Sequence, residues 1–179
     1  MPLGVCDKAN KAFPLNREPI LGLAERRALA NDDSTFELFR YELEKADMSK
    51  HIGTWRLARA EAVDAHGNQV APPFGGENVI GRVVLTADGR MSASIADART
   101  TIPPGETREY ACYAGPYTFA GTTLITTVDS CSDPARMGTQ QVRDVHFEGD
   151  LMVLQPPLRS YGDKPAERRT IWWEKLSDV

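Results

Sequence analysis

From Gly53 onward, apolar and polar residues alternate with a period of two, and turn residues cut the alternation into eight segments: 53–64, 79–87, 91–97, 108–119, 122–131, 139–148, 151–156 and 168–176. A period of two puts one face of each strand on a core and the other toward solvent. His66-Gly67-Asn68, Asp88-Gly89, Ala120-Gly121 and Glu148-Gly149-Asp150 carry hairpin chemistry, which makes successive strands antiparallel. Eight strands with mostly short links lose their unpaired edges by closing. The pattern therefore predicts an eight-stranded antiparallel up-and-down β-barrel. Three longer connections, 65–78, 98–107 and 156–167, are rich in Pro and Gly and are expected to rim the barrel mouth.

Upstream of Gly53 the period is helical. Pro19 suits the first turn of a helix through EPILGLAERRALA that ends near Asn31. Ser34-Thr35-Phe36-Glu37 is a capping box, followed by Phe36, Phe39, Leu43 and Ala46 at helical spacing, and Asp47-Met48-Ser49 closes this second helix. No Gly/Ser linker follows. Residues 1–50 are thus expected to be a helical extension packing on or lidding a barrel formed by 51–179.

Alternation also assigns the inner faces. On the first strand Trp55 and Leu57 face inward, and Arg59, Glu61 and Val63 continue that face. On the fourth, Tyr113, Gly115, Tyr117 and Phe119 share the inner face. A two-residue loop at Ala120-Gly121 would pair Tyr117 with Leu124 and Thr126 with Gly115, so that Leu124, Thr126, Val128 and Ser130 join them. On the sixth strand Gln141, Arg143, Val145 and Phe147 face inward, opposite Val142, Asp144 and His146. Asp129, Cys131 and Cys112 are expected to face outward.

Composition narrows the function class. The 179 residues suit one domain with a single sizeable core, and a net charge of −4 with no basic run longer than a pair argues against a nucleic-acid surface. No apolar stretch approaches the roughly 18–20 residues of a membrane span, and the N-terminus lacks the apolar core of a signal peptide. Cys6, Cys112 and Cys131 cannot all pair and show no C-x-x-C spacing, which suggests reduced thiols in a cytoplasmic protein. His51, His66 and His146 share no metal-ligand spacing. There is no G-x-S-x-G, H-E-x-x-H, Walker A or G-x-G-x-x-G, so neither a metal nor a cofactor is expected.

The stretches GTWRLARAEAVDAHGN, PPFGGENVIGRVVLTADGRMS, YACYAGPYTF, SDPARMGTQQVRDVHFEGD-LMVLQPP and IWWEKL occur in collinear order over residues 51–176. Together they resemble the bacterial lipocalin-like domain family, a branch of the calycin architecture. The resemblance implies that Trp55 closes one barrel end under a basic side chain of the last strand, matched by Lys175, with Trp173 on the same face. The opposite end, rimmed by Phe74, Pro103-Pro104 and Tyr161, is then the mouth. Members of that family often carry His where this chain has Thr126 and Thr127. The departure removes an imidazole base there.

The candidate chemistry lies inside the barrel. Arg143 sits on a face otherwise suited to packing, and a charge there needs a partner, a wet cavity or a ligand. Its planar fork suits a carboxylate, phenolate or enolate; the alternative is a structural pair with Glu61 or another inward acid. Tyr113 and Tyr117 stack along one strand and offer phenols to a carbonyl, or else complete an ordinary core. Arg143, Tyr113 and Glu61 are the catalytic candidates, as oxyanion binder, donor and base. Tyr117, Thr126, Arg59, Gln141, Val128, Phe147 and Phe74 are the candidate ligand wall. Two functions follow from these assignments. One is a cofactor-free isomerase, cyclase or lyase acting on an apolar or aromatic oxygenated molecule, and the other is a non-catalytic carrier or sensor of the same ligand class. The partner expected is that small molecule, with no nucleic acid and no membrane. Pairing into a homodimer is left open.

Overall fold

The computed structural model describes residues 36–41 and 49–178. The expected helix through 18–31, Cys6 and the remainder of the 34–48 segment lie outside these residues. Residues 36–41 are helical, within the span expected for the second helix. They belong to a separate compact unit from the barrel.

The barrel is built from β1 (Gly53–Asp64), β2 (Val79–Leu85), β3 (Arg90–Asp97), β4 (Tyr110–Phe119), β5 (Thr123–Thr127), β6 (Ser130–Cys131), β7 (Gln140–Glu148), β8 (Leu151–Gln155) and β9 (Glu167–Ser177). β5 and β6 both pair with β4 and are one barrel strand interrupted at Val128-Asp129. Neighbours in the chain pair antiparallel, and β9 returns to β1 through a register running from Thr54↔Ser177 to Asp64↔Glu167. The result is a closed eight-stranded up-and-down barrel, as the alternation predicts. Inward residues of all the long strands form one core, including Trp55, Leu85, Leu124, Met152 and Trp173, each almost without solvent exposure.

Local irregularities change which residues face inward. In β1 the register with β9 shifts between Leu57, opposite Trp173, and Arg59, opposite Trp172, so Ala58 is an extra residue in the ladder. Such a bulge inverts the alternation beyond it. Ala60 and Ala62 are buried, while Arg59 and Glu61 face outward. Arg59 lies 3.9 Å from the ring centre of Trp172 and 3.7 Å from Glu61. The expected inward placement of Arg59, Glu61 and Val63 is corrected accordingly.

A second interruption separates β5 from β6. The β4–β5 connection is longer than a two-residue loop and pairs Phe119 with Leu124 and Tyr117 with Thr126. The register is offset by two from the one expected, so the same faces stay inside. After Val128 the chain jumps, and Cys131 rather than Ser130 packs against the core. Cys131 therefore does not share the outer face with Asp129, which pairs outward with Arg90 at 2.7 Å. Gly115 permits the jump. A Cβ there would fall on the Thr127 carbonyl oxygen, so any larger residue pushes the two strands apart.

Candidate functional site

The two ends of the barrel differ in how the chain finishes them. At one end the turns β2–β3, β4–β5 and β7–β8 are short, and the segment before β1 plugs the opening. Gly53 has φ +142, and a Cβ there would lie 2.6 Å from the Ser177 carbonyl oxygen. Only glycine lets β1 begin this close to the last strand. Trp55 then sits buried, its indole N–H donating to the His51 carbonyl at 2.9 Å, with the Lys175 ammonium 5.3 Å from its ring centre. The His51 ring is buried against Phe119 at a centroid distance of 4.0 Å. Tyr117 donates to the Thr86 carbonyl at 2.9 Å and lies 3.2 Å from His51 Nε2. Burial, reinforced by the nearby Asp88 charge, pushes the Tyr117 phenol up from its ordinary value. Phe147 packs toward Trp55 beneath Lys50.

The other end opens into a cavity of about 360 Å³, within the range that encloses a small organic molecule. Its apolar wall comes from the inner faces of four strands through Val83, Met91, Ala93, Ile95, Leu154 and Ile171. Three polar features interrupt that wall. The first is Trp173, 1% exposed, whose Nε1 has no hydrogen-bond partner among the described residues. The second is Tyr113, whose hydroxyl likewise has none. Arginine side chains are the third.

Two of these arginines flank Tyr113. Arg143, on β7 opposite Leu124, lies 5.9 Å from the Tyr113 ring centre and donates to the neighbouring Val142 carbonyl at 2.6 Å. Arg136 ends the short 3-10 turn Pro134–Arg136, which Asp133 caps by accepting from Ala135 N–H at 3.0 Å. Its guanidinium carbon lies 4.6 Å from the same ring centre. One Arg136 nitrogen donates to Gln141 Oε1 at 2.8 Å, and Gln141 is itself held by Thr139 at 3.0 Å. The Nε of Arg136 is buried without a partner among the described residues.

The mouth carries a third arginine in a different state. Arg169, 3% exposed, donates to Glu167 at 2.7 Å and to Glu109 at 2.8 Å. Its guanidinium lies 3.7 Å from the Tyr161 ring centre and 4.9 Å from that of Phe74. Phe74 has a left-handed backbone (φ 56), rare for a residue of its size, and its N–H donates to Glu109 at 2.7 Å. Burial acts to raise the Glu109 carboxyl. The Phe74 N–H, the Arg169 hydrogen bond and charge, and Lys164 outweigh it, leaving the group below its ordinary value.

Of the sequence-predicted candidates, Tyr113, Arg143 and Phe74 line the cavity, and Gln141 orients one of its arginines. Thr126 and Val128 are buried core residues outside the lining, Thr126 donating weakly to Met91 Sδ at 3.5 Å. Tyr117 and Phe147 belong to the closed end. Arg59 and Glu61 lie on the outer wall, where they reach nothing inside. Tyr161 lines the mouth as expected, whereas Pro103 and Pro104 stay outside the lining. Arg136, Arg169, Glu109 and Trp173 were not among the candidates. Three of them were within reach of the alternation: Glu109 has the parity of Tyr113 on its strand, and Arg169 and Trp173 that of Lys175.

Comparison with curated proteins gives no match. The lipocalin-like domain model matches residues 52–176, from the residue before β1 into the end of β9, and so spans the whole closed barrel and both of its ends. With that match over most of its length and the barrel it describes, this chain belongs to the lipocalin-like domain family.

Proposed function

We propose that the protein binds a small, largely apolar, oxygenated molecule in the open-end cavity and acts as its carrier or sensor. One observation carries this. A largely apolar chamber is lined by two side chains with a buried hydrogen-bond donor, Trp173 Nε1 and Arg136 Nε, that no described residue satisfies. Buried donors left without acceptors are costly, and an oxygen atom of a bound molecule removes that cost.

A catalytic use of the same chamber as an isomerase, cyclase or lyase keeps two of its three groups. Arg143 and Tyr113 remain suited to polarise a carbonyl or a phenolate. Glu61 faces away from the chamber, and the carboxylate that does line it, Glu109, has one oxygen on Phe74 N–H and the other on Arg169. A carboxylate held below its ordinary value by such contacts is a poor base. Binding without turnover is the function supported best.

The test uses 1-aminoanthracene, a neutral apolar fluorophore. Its emission should rise saturably with the protein, and Ala93→Phe, which fills the chamber from β3, should abolish the rise while the far-UV spectrum of the barrel is retained. Dye binding that survives Ala93→Phe would place the site elsewhere, and no saturable binding to the unaltered protein would remove the proposal.

A further inference from the structure

The chamber's lining is cationic, although the chain as a whole carries a net charge of −4. Arg136, Arg143, Arg159 and Arg169 line it, against Glu109 and Asp133. Arg169 is neutralised by Glu109 and Glu167, so its charge is already spent inside the protein. Asp133 caps the turn that carries Arg136. Arg159 lies over Tyr161 at 4.8 Å and is exposed at the mouth. What remains is a pair of guanidinium groups, Arg136 and Arg143, 4.6 and 5.9 Å from the centre of a single tyrosine ring, neither in an ion pair with a described carboxylate.

Like charges drawn to one wall of a low-polarity chamber repel, and fixing them there without a counter-charge is unfavourable. The fold nevertheless fixes both. Gln141, 5% exposed, holds one nitrogen of Arg136, and the Val142 carbonyl holds one of Arg143. These contacts orient the forks without neutralising them. Arg136 Nε is left buried there without a partner among the described residues.

We infer that the ligand of this chamber is an apolar carboxylic acid, bound as its carboxylate by Arg136 and Arg143 at the Tyr113 wall. This rests on the binding function proposed above and adds the ligand's charge and orientation. A carboxylate supplies the two in-plane acceptor oxygens that a guanidinium fork addresses, and the charge that the pair lacks. Tyr113 donates to the same group. The apolar body of the acid then lies against Ala93, Ile95 and Leu154, with any further oxygen facing Trp173. Gln141 is a positioning residue, acting through Arg136.

The test compares naphthalene-2-carboxylate with its neutral isostere naphthalene-2-carboxamide by isothermal titration calorimetry. The acid should bind about 10–100-fold more tightly, the range of charge-assisted hydrogen bonds over neutral ones. Arg136→Met together with Arg143→Met should bring the two affinities together, and the preference should shrink as ionic strength rises. Arg143→Lys, which retains charge and loses the fork, should fall between. Equal affinities in the unaltered protein, or a preference that persists in the double variant, would overturn the inference while 1-aminoanthracene binding still upheld the chamber as a binding site. The inference also falls if neither compound binds. Loss of dye binding as well would remove the binding function with it.

Discussion

The closed and open ends of the barrel arise from the same inward alternation and complete their polar groups in opposite ways. At the closed end Trp55, Tyr117 and Lys175 find partners in the chain: Trp55 on the His51 carbonyl, Tyr117 on the Thr86 carbonyl, Lys175 on the Lys50 carbonyl and Asp178. At the open end Arg169 is completed in the same fashion by two acids, yet Arg136 Nε and Trp173 Nε1 have no partner among the described residues. Polar groups satisfied from within hold a fold together. Those left over at a chamber belong to whatever enters it. The contrast predicts that substitutions at the closed end change stability and leave affinity alone, and that those around Tyr113 do the reverse.

The largest effect is expected at Trp55. Trp55→Ala removes the biggest side chain of the closed end, which is 1% exposed. It should cost about 3–5 kcal/mol in urea unfolding, the range for large aromatic deletions in cores. The folded fraction should still bind 1-aminoanthracene with unaltered affinity, because the chamber wall is not touched. A variant of near-normal stability would show that this end is not a core.

Arg169 comes next, as the mouth residue that behaves like a closed-end one. Arg169→Met leaves Glu109 and Glu167 facing each other without their shared cation. The loss should be about 3 kcal/mol, the low end for a broken buried pair, because the Glu109 side chain keeps 31% of its exposure. The Glu109 carboxylate, held by the Phe74 N–H as well as by Arg169, also makes stability depend on pH. The folded-state pKa of Glu109 lies below its unfolded value, so the folded state binds its proton less readily than the unfolded chain does. Its contribution is complete above the ordinary glutamate value, and it is lost as the pH falls from there through the lower folded value. Glu109→Gln should flatten the fall in melting temperature over that acid window. An unchanged slope would mean that other carboxylates govern it.

The two tyrosines of β4 separate the ends most cleanly. Tyr117→Phe removes a hydroxyl bonded to Thr86 and should cost about 1 kcal/mol of stability with no change in ligand affinity. Tyr113→Phe removes a hydroxyl with no partner among the described residues, so stability should hold while naphthalene-2-carboxylate affinity falls several-fold. If both variants lost affinity alike, the chamber would have to extend to the closed end.

The strands, their order and the closure of the barrel were legible because period-two alternation and turn residues are local signals. All the predicted strands appear, with ends displaced by a few residues, whereas Lys175 over Trp55, seen at 5.3 Å, was implied by the family resemblance and not by the alternation. The inner face was legible only where a strand is regular. On β7 the alternation places Gln141, Arg143, Val145 and Phe147 inward, and they pack there. On β1 it fails after Leu57, because a one-residue bulge leaves no mark in composition: Ala58-Arg59 reads as ordinary strand. Arg136 was illegible for another reason. It reaches the chamber from a 3-10 turn in a loop, where no period connects a residue to a face, and only the Asp133-Pro134 cap hints at the turn. Arg169 was accessible in principle. Counting back from Lys175 through Trp173 and Ile171 arrives at it, but its place beside Glu109 depends on how the barrel closes on itself.

The smallest expected effect tests the correction that the bulge makes to the first strand. Without the bulge, Glu61 would face the chamber near Arg143, and its removal would strip away a counter-charge or a base. With the bulge, Glu61 lies outside, 3.7 Å from Arg59, both side chains about half exposed. Exposed pairs of that kind contribute about 0–1 kcal/mol, and salt screens even that. Glu61→Gln should therefore shift urea stability by no more than about 0.5 kcal/mol and leave the acid-over-amide preference intact. Deleting Ala58 provides the complement. It removes the extra residue, so Arg59 follows Leu57 directly, the ladder to β9 becomes regular with Ala60 and Ala62 still inward, and the barrel should keep its cooperative unfolding. Should Glu61→Gln instead weaken naphthalene-2-carboxylate binding tenfold while the Ala58 deletion abolishes cooperative unfolding, β1 would run without its bulge, and Glu61 would belong to the chamber after all.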